Sequence, residues 1–311
     1  MTIHNSQQSA DDLPDSLPYF TDVLRASSLP KAGPDLLLAI DLDGTTLHHD
    51  ATVSERMRQA VHAHIAAGTT LIFATGRGIT GTQVALGDIG IERGVVVACN
   101  GAITASIGGV IPDSETTPLP DFLGENGPAF RLVASHTFDP SREIEILSAG
   151  LPSDVWFALE TLDEPTRVTY PFPPDELSGP SRLVPLSELS STKATRLTVR
   201  AAKMTARELL DAVAELGLHG VEYAVGWSAW MDITPEGVSK ASALEELRLR
   251  FGIDPYNTVA VGDSGNDVAM LEWATVGVAM GNAPQYVREY ADALTDHVDD
   301  DGCAAVLEAL L

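Results

Sequence analysis

From about residue 35 onward, short apolar runs alternate with amphipathic stretches. The runs are Leu36–Ile40, Leu71–Ala74, Val95–Cys99, Thr258–Val261 and Val276–Met280. Each is too short for a helix and too continuously apolar for a solvent-facing strand, so each predicts a strand buried on both faces. Between the first two runs, Ser54 stands at an N-cap position, Met57, Val61 and Ile65 recur every four residues, and Gly68 closes the helix. Strands separated by helices imply right-handed crossovers and a parallel sheet covered on both sides. The rhythm breaks after Asn100-Gly101, and residues 105–233 are too many for one crossover or for a structureless loop. Inside that insertion, Val155–Leu159 and Arg196–Val199 read as strands. Thr205 and Glu208 form a capping box before Leu209, Leu210, Val213 and Leu216, with Gly217 as the stop. Val221–Val225 and Ala229–Ile233 read as paired strands around Gly226-Trp227-Ser228, and the proline-interrupted stretch Tyr170–Pro185 as an irregular surface loop. Residues 1–33, rich in Ser, Asp, Gln and Pro, predict a largely mobile tail in which Tyr19, Phe20, Val23 and Leu24 form a short docking turn of helix. The expected fold is α/β. A Rossmann-like, doubly wound, mostly parallel core is built from 34–104 and 234–311, with an α+β cap inserted at 105–233.

Composition narrows the function. The 311 residues suffice for two domains, and 44 acidic against 19 basic side chains give a net charge of -25. Such a surface repels nucleic acid and anionic membranes, so neither is an expected partner, and no protein partner is implied. No apolar stretch approaches the roughly 18 residues needed to span a bilayer. Arg25 is the first basic residue, Asp11, Asp12 and Asp15 interrupt any signal-like region, and Cys99 and Cys303 form no CxxC pair. A cytoplasmic protein with reduced thiols is the expectation. Phosphate binding on so acidic a chain needs a local positive source: lysine, helix ends or a metal.

The candidate chemistry sits at predicted strand ends. Asp41-Leu42-Asp43-Gly44-Thr45 follows the first run, Thr75-Gly76-Arg77 the second, and Gly262-Asp263-Ser264-Gly265-Asn266-Asp267 the run at 258–261, while Lys240 opens the helix after the cap. Carboxyl ends of parallel strands share one edge, so these segments can meet in one crevice. Crowded carboxylates need a counter-charge. Such a set suits phosphoryl transfer to a carboxylate, where in-line positioning and charge neutralisation supply most of the catalysis. A hard divalent ion, Mg²⁺ by preference, would sit on Asp41 and Asp263, and Lys240 and Thr75 would hold phosphate oxygens. Asp43 would carry the proton. Other readings stay open: Arg77 as ion-pair partner or substrate contact, Asn100 and Asn282 as ligands or turn residues, Asn266 as ligand or helix-start residue. His48, His49 and Asp50 read as a solvated loop, Trp227 and Trp230 as cap core, and Cys99 as an inert buried thiol.

Asp-Leu-Asp-Gly-Thr, Ala-Thr-Gly-Arg, Asn-Gly-Ala, Gly-Val-Ser-Lys and Gly-Asp-Ser-Gly-Asn-Asp, in this order, resemble the haloacid dehalogenase superfamily. Met280-Gly281-Asn282-Ala283 and the long insertion resemble its Cof-type, type IIB sugar-phosphatase branch with a C2 cap, over roughly residues 35–311. The resemblance implies Asp41 as nucleophile, Asp43 as general acid/base, and Thr75 and Lys240 as phosphate ligands. It implies metal ligation by Asp41, the Asp43 carbonyl, Asp263 and Asp267, with Gly76, Arg77, Asn100, Asn266 and Asn282 near substrate or phosphate. Thr46 and Ala241 depart from the pattern without removing a reacting group. The expected function is Mg²⁺-dependent hydrolysis of a small phosphorylated metabolite, of the sugar-phosphate kind, through an aspartyl phosphate. The alternatives are a phosphotransferase or mutase passing that phosphate to another hydroxyl, and a non-catalytic metal-binding sensor, against which an intact Asp43 argues.

Overall fold

The computed structural model describes residues 17–119, 128–152, 154–162, 165–173, 177, 179–218, 220–225 and 229–311, with the backbone alone at 222–225. The core strands before the cap are β1 (Leu37–Ile40), β2 (Thr70–Ala74), β3 (Gly94–Ala98), β4 (Ile103–Ile107), β5 (Thr117–Pro118) and β6 (Phe130–Ser135). The cap holds β7 (Val155–Glu160), β8 (Thr166–Val168), β9 (Ser181–Leu183), β10 (Arg196–Ala201), β11 (Val221–Val225) and β12 (Trp230–Pro235). The chain returns through β13 (Thr258–Gly262), β14 (Val276–Ala279) and β15 (Ala293–Leu294).

The core sheet has nine strands in the order β15-β14-β13-β1-β2-β3-β4-β6-β5. The six from β15 to β3 pair in parallel, and β4, β6 and β5 continue the sheet antiparallel. Alternation along β1 explains its uninterrupted apolar run. Leu38 and Ile40 pack with Met57 and Val61 of helix Glu55–Ala67, while Leu37 and Ala39 pack with Leu244 and Leu247 of helix Lys240–Phe251. Ile40 lies level with Val261 on one side and Phe73 on the other, so β1, β13 and β2 end together. That shared edge receives Asp41, Asp263 and Thr75.

The cap sheet has six strands in the order β11-β12-β10-β7-β8-β9, antiparallel except for the β8–β9 pair. Ile144 and Leu147 of helix Ser141–Gly150 and Leu209 and Val213 of helix Ala206–Leu216 cover one of its faces. The Ser54 cap, the Gly68 stop and the Thr205–Glu208 box all form as expected.

Two expectations need correction, and one is met in part. The core does not stop at 104, because β4, β6 and β5 extend its sheet to Ser135, and the cap sheet runs to Pro235. The docking turn expected around Tyr19–Leu24 forms as helix Phe20–Ala26, which buries Phe20, and the Leu294 amide donates to the Pro18 carbonyl at 3.0 Å. Without this segment the outer edge of β15, which pairs with β14 on its other side, would be left unpaired; residues 1–16 lie outside the described residues. The expected loop Tyr170–Pro185 contains strand β9, whose parallel pairing with β8 tolerates the flanking prolines at a sheet edge. Gly226-Trp227-Ser228 also falls outside the described residues.

Candidate active site

Strand β1 ends at Ile40, and the next residues turn sharply: Gly44 adopts φ +77°, and its amide donates to the Leu47 carbonyl at 2.9 Å. The turn aims Asp41 inward, with only 4% of the residue exposed. Across the sheet edge, Asp263 follows β13 directly. Asp267 lies one short turn later, held by its own backbone: Oδ2 accepts from the Asp263 and Ser264 amides, each at 2.9 Å. Gly262 must be glycine, because a Cβ there would lie 2.6 Å from the Asp267 Cβ and Cγ. From the opposite side, helix Lys240–Phe251, capped by Ser239, delivers Lys240, which is 1% exposed. Its Nζ donates to Asp41 Oδ1 at 2.7 Å and to Asp267 Oδ1 at 2.6 Å.

Asp41, Asp263 and Asp267 each present a carboxylate oxygen within 4.8 Å of the others. One ammonium cannot offset three buried carboxylates. Burial first, then the charge of Asp267, raises Asp41 above the ordinary carboxylate range, and burial, then Asp41 and Asp267, raises Asp263. Burial alone would lower the Lys240 ammonium, but Asp267 and Asp41 outweigh it and hold Lys240 above its usual value. Asp263 Oδ1 is buried without a hydrogen-bond partner, while Oδ2 accepts from Asn282 Nδ2 at 3.0 Å. An orphaned buried carboxylate oxygen in an all-oxygen cluster fits a hard divalent cation. Asp41 and Asp263 have the freest oxygens for it; Asp267, already accepting three hydrogen bonds, mainly fixes Lys240 and the 263–264 backbone.

Asp43 is outside this trio. Its side chain is half exposed, and both carboxylate oxygens accept from Arg77, Oδ2 from Nε at 2.7 Å and Oδ1 from Nη2. In this arrangement Arg77 forms an ion pair with Asp43. Burial would lower that guanidinium, but the Asp43 contact raises it on balance. Thr75 is fully buried, its Oγ1 accepting from the Arg77 amide at 3.1 Å.

The asparagines brace the site. Asn282 Nδ2 also donates to the Gly44 carbonyl at 2.8 Å, tying the first turn to Asp263. After β3 the chain passes through left-handed Cys99 and Asn100 (φ 51° and 52°), which swings Asn100 over Gly76. Asn266 Nδ2 donates to Asn100 Oδ1 at 2.9 Å, and Asn100 Nδ2 lies 3.4 Å from Asp232 Oδ2 of the cap. A Cβ on Gly76 would come within 3.0 Å of both asparagine side chains. Cys99 is buried, and its Sγ lies 3.3 Å from Glu160 Oε2; burial, then Glu160, pushes the thiol well up, as expected of an inert group. His48 stays on a surface loop, paired with Asp299 at 3.2 Å.

The sequence reading missed Glu160, Arg196 and Asp232. The guanidinium of Arg196 is 2.7 Å from Glu160 Oε1 and 3.1 Å from Asp232 Oδ2, and it donates to the Gly76 carbonyl. The available signal was a polar residue at every second position of one cap strand, Arg196, Thr198 and Arg200. Trp230, expected in the cap core, is half-buried on the other face of the sheet, with Nε1 donating to Asp232 Oδ1 at 3.0 Å.

A buried carboxylate, a lysine bridging it to a second acidic residue and a third with an unpartnered oxygen form an arrangement suited to phosphoryl transfer, built on a doubly wound core with an inserted cap. A family model described as haloacid dehalogenase-like hydrolase matches residues 38–118 and 183–307, and the chain belongs to that family, as one of its phosphatases. The 5-amino-6-(5-phospho-D-ribitylamino)uracil phosphatase YwtE of Bacillus subtilis (strain 168) is 26% identical over 298 residues, 88% of this chain and 97% of that one. Phosphatase YwpJ of the same organism is 26% identical over 305 residues, 88% of this chain and 99% of its own length. Among solved structures, the subclass IIB sugar phosphatase BT4131 matches with a TM-score of 0.68 at 22% identity, over 89% of this chain and 100% of that one. No helix among the described residues is long and apolar enough to cross a membrane.

Proposed function

We propose that the protein is a Mg²⁺-dependent phosphatase that hydrolyses a small phosphorylated metabolite, a sugar or sugar-alcohol phosphate, through an aspartyl phosphate on Asp41. The observation that carries this reading is the Lys240 bridge between Asp41 and Asp267 beside the unpartnered oxygen of Asp263. Mg²⁺ on Asp41, the Asp43 carbonyl and Asp263 would supply the charge neutralisation that lets a carboxylate approach a phosphate dianion. Lys240 would bind a phosphoryl oxygen, and Thr75 a second.

In the first step an Asp41 oxygen attacks phosphorus, the ester P–O bond breaks, and Asp43 gives its proton to the departing oxygen. In the second, water attacks the aspartyl phosphate, its proton passes to Asp43, and inorganic phosphate leaves with Asp41 restored. Arg77 pairs with both carboxylate oxygens of Asp43. Donation in the first step therefore requires that pair to loosen as the ester binds.

The names of the relatives, an aminouracil ribityl-phosphate phosphatase and a sugar phosphatase, favour a hydroxyl-bearing substrate. A net charge of -25 supports a small molecule over nucleic acid. Two buried, unbridged thiols support work in a reducing compartment such as the cytoplasm. The test is phosphate release from a panel of metabolite esters with Mg²⁺ or with chelator, for the natural protein and Asp41→Asn. Release that needs Mg²⁺ and vanishes in the variant is expected; undiminished release by Asp41→Asn overturns the proposal.

A further inference from the structure

Asn282 stands at the turn after β14, and the backbone around it is tied down. The Met280 amide donates to the Gly262 carbonyl at 3.0 Å, the Gly281 amide to the Asp296 carbonyl at 2.9 Å, and the Ala283 amide closes the turn on Met280 at 3.0 Å. The side-chain amide is oriented by two backbone partners. Its Oδ1 accepts from the Val298 amide at 3.0 Å, and its Nδ2 donates to the Gly44 carbonyl at 2.8 Å. A flipped amide would set oxygen against a carbonyl and nitrogen against an N–H. The second hydrogen on Nδ2 is thereby left for Asp263 Oδ2, 3.0 Å away.

The two oxygens of Asp263 are therefore not equivalent. Oδ2 is held by Asn282 and lies against the first turn, where a Cβ on Gly44 would come within 2.5 Å of it. Oδ1 is buried with no hydrogen-bond partner. Asp41 is divided in the same way, since its Oδ1 accepts from Lys240 at 2.7 Å. Asp267 has both oxygens engaged, Oδ1 by Lys240 and Oδ2 by the Asp263 and Ser264 amides. A cation entering this trio is offered one oxygen of Asp263 and one of Asp41, not a chelating pair from either.

That distinction separates the two common hard ions. Ca²⁺ collects about six to eight oxygens at roughly 2.3–2.6 Å in flexible geometry and readily takes both oxygens of a carboxylate. Mg²⁺ is smaller, demands a near-octahedral shell at about 2.0–2.1 Å, and keeps several waters beside one or two carboxylates. Single oxygens held apart by protein donors suit the second ion and deny the first its extra ligands.

Building on the Mg²⁺ site of the phosphatase reading, we propose that Asn282 is a positioning residue that sets metal selectivity. By holding Asp263 Oδ2 against Gly44, it presents the ion with a single oxygen and so favours Mg²⁺ over Ca²⁺. This role differs from the substrate or phosphate contact that the sequence resemblance implies for Asn282.

Calorimetric titration of the chelator-stripped protein with Mg²⁺ and, separately, with Ca²⁺ tests this without any turnover. The natural protein is expected to bind Mg²⁺ at least as tightly as Ca²⁺. Asn282→Ala releases Oδ2; Asn282→Asp keeps the acceptor for Val298 and replaces the donor with a carboxylate oxygen. Both variants, checked by circular dichroism, are expected to move the ratio of the two dissociation constants toward Ca²⁺ by at least about fivefold. A residue that only braced the turn would weaken both ions in proportion, so an unchanged ratio overturns the inference. Tighter binding of Ca²⁺ than of Mg²⁺ by the natural protein also overturns it, whatever the variants do. Binding of neither ion by the natural protein overturns the metal site itself, and with it the phosphatase reading beneath.

Discussion

Replacing Lys240 with methionine isolates the electrostatic logic of the site. The lysine side chain is fully buried, so a methionine of similar length fills the space without opening a large cavity. Lost with it are two charge-assisted hydrogen bonds, at 2.7 Å to Asp41 and 2.6 Å to Asp267. Three clustered carboxylates then remain without a fixed cation. Removing one partner of a buried ion pair costs about 3–5 kcal/mol, because the other charge stays behind unpaired. At about 1.36 kcal/mol per tenfold, that is roughly a 200- to 5,000-fold shift of the unfolding equilibrium. Urea denaturation at neutral pH in chelator, followed by circular dichroism, reads the loss directly. Added Mg²⁺ should recover part of it by replacing the missing positive charge. A loss below about 1 kcal/mol, or no response to Mg²⁺, would refute the claim that the trio depends on a buried cation.

Two further outcomes follow from single contacts. In Gly44→Ala the new Cβ would lie 2.5 Å from Asp263 Oδ2 at a backbone φ of +77°, so Asp263 must move; calorimetric Mg²⁺ affinity should fall at least tenfold, and an unchanged affinity would contradict the placement. His64 is buried between Thr69 Oγ1 at 3.0 Å and the Leu307 carbonyl at 2.9 Å, and burial holds its imidazole below the ordinary 6.5. Below pH 6.5 the unfolded chain binds a proton that the folded protein refuses, so stability falls as pH drops, by up to about 1.36 kcal/mol per pH unit. His64→Gln should flatten that slope between pH 6.5 and 5.5, and an unaltered slope would contradict the buried neutral imidazole.

Much of this was legible in the chain because local chemistry and global fold agree. Ser54 and Gly68 cap a helix whose apolar stripe repeats every four residues, and β1 reads as doubly buried because both neighbours of each residue are apolar. The convergence of Asp41, Thr75 and Asp263 followed from one rule, that parallel strands end on a common edge. What stayed hidden depended on partners distant in sequence. Ile-Thr-Ala-Ser-Ile in β4 carries small polar residues on a fully buried strand between β3 and β6, where Ser106 Oγ accepts from the Ile111 amide at 3.0 Å. The placement of residues 17–33 comes from distant partners, Leu294 of β15 for Pro18 and Leu310 for Ala32. Glu160, Arg196 and Asp232 acquire meaning only once helices Ser141–Gly150 and Ala206–Leu216 have claimed the opposite face of the cap sheet. The Arg77–Asp43 pair likewise depends on the turn that carries Asp43.

The central claim is that the Asp41 carboxylate itself receives the phosphoryl group. Acid-quenching Asp43→Asn during exposure to acetyl phosphate and Mg²⁺, followed by peptide mass spectrometry, addresses it most directly, because loss of the Asp43 base slows attack of water on the intermediate. The account predicts one added phosphoryl group, labile to hydroxylamine, on the peptide containing Asp41. An unmodified Asp41 peptide, or the label on another residue, would contradict it.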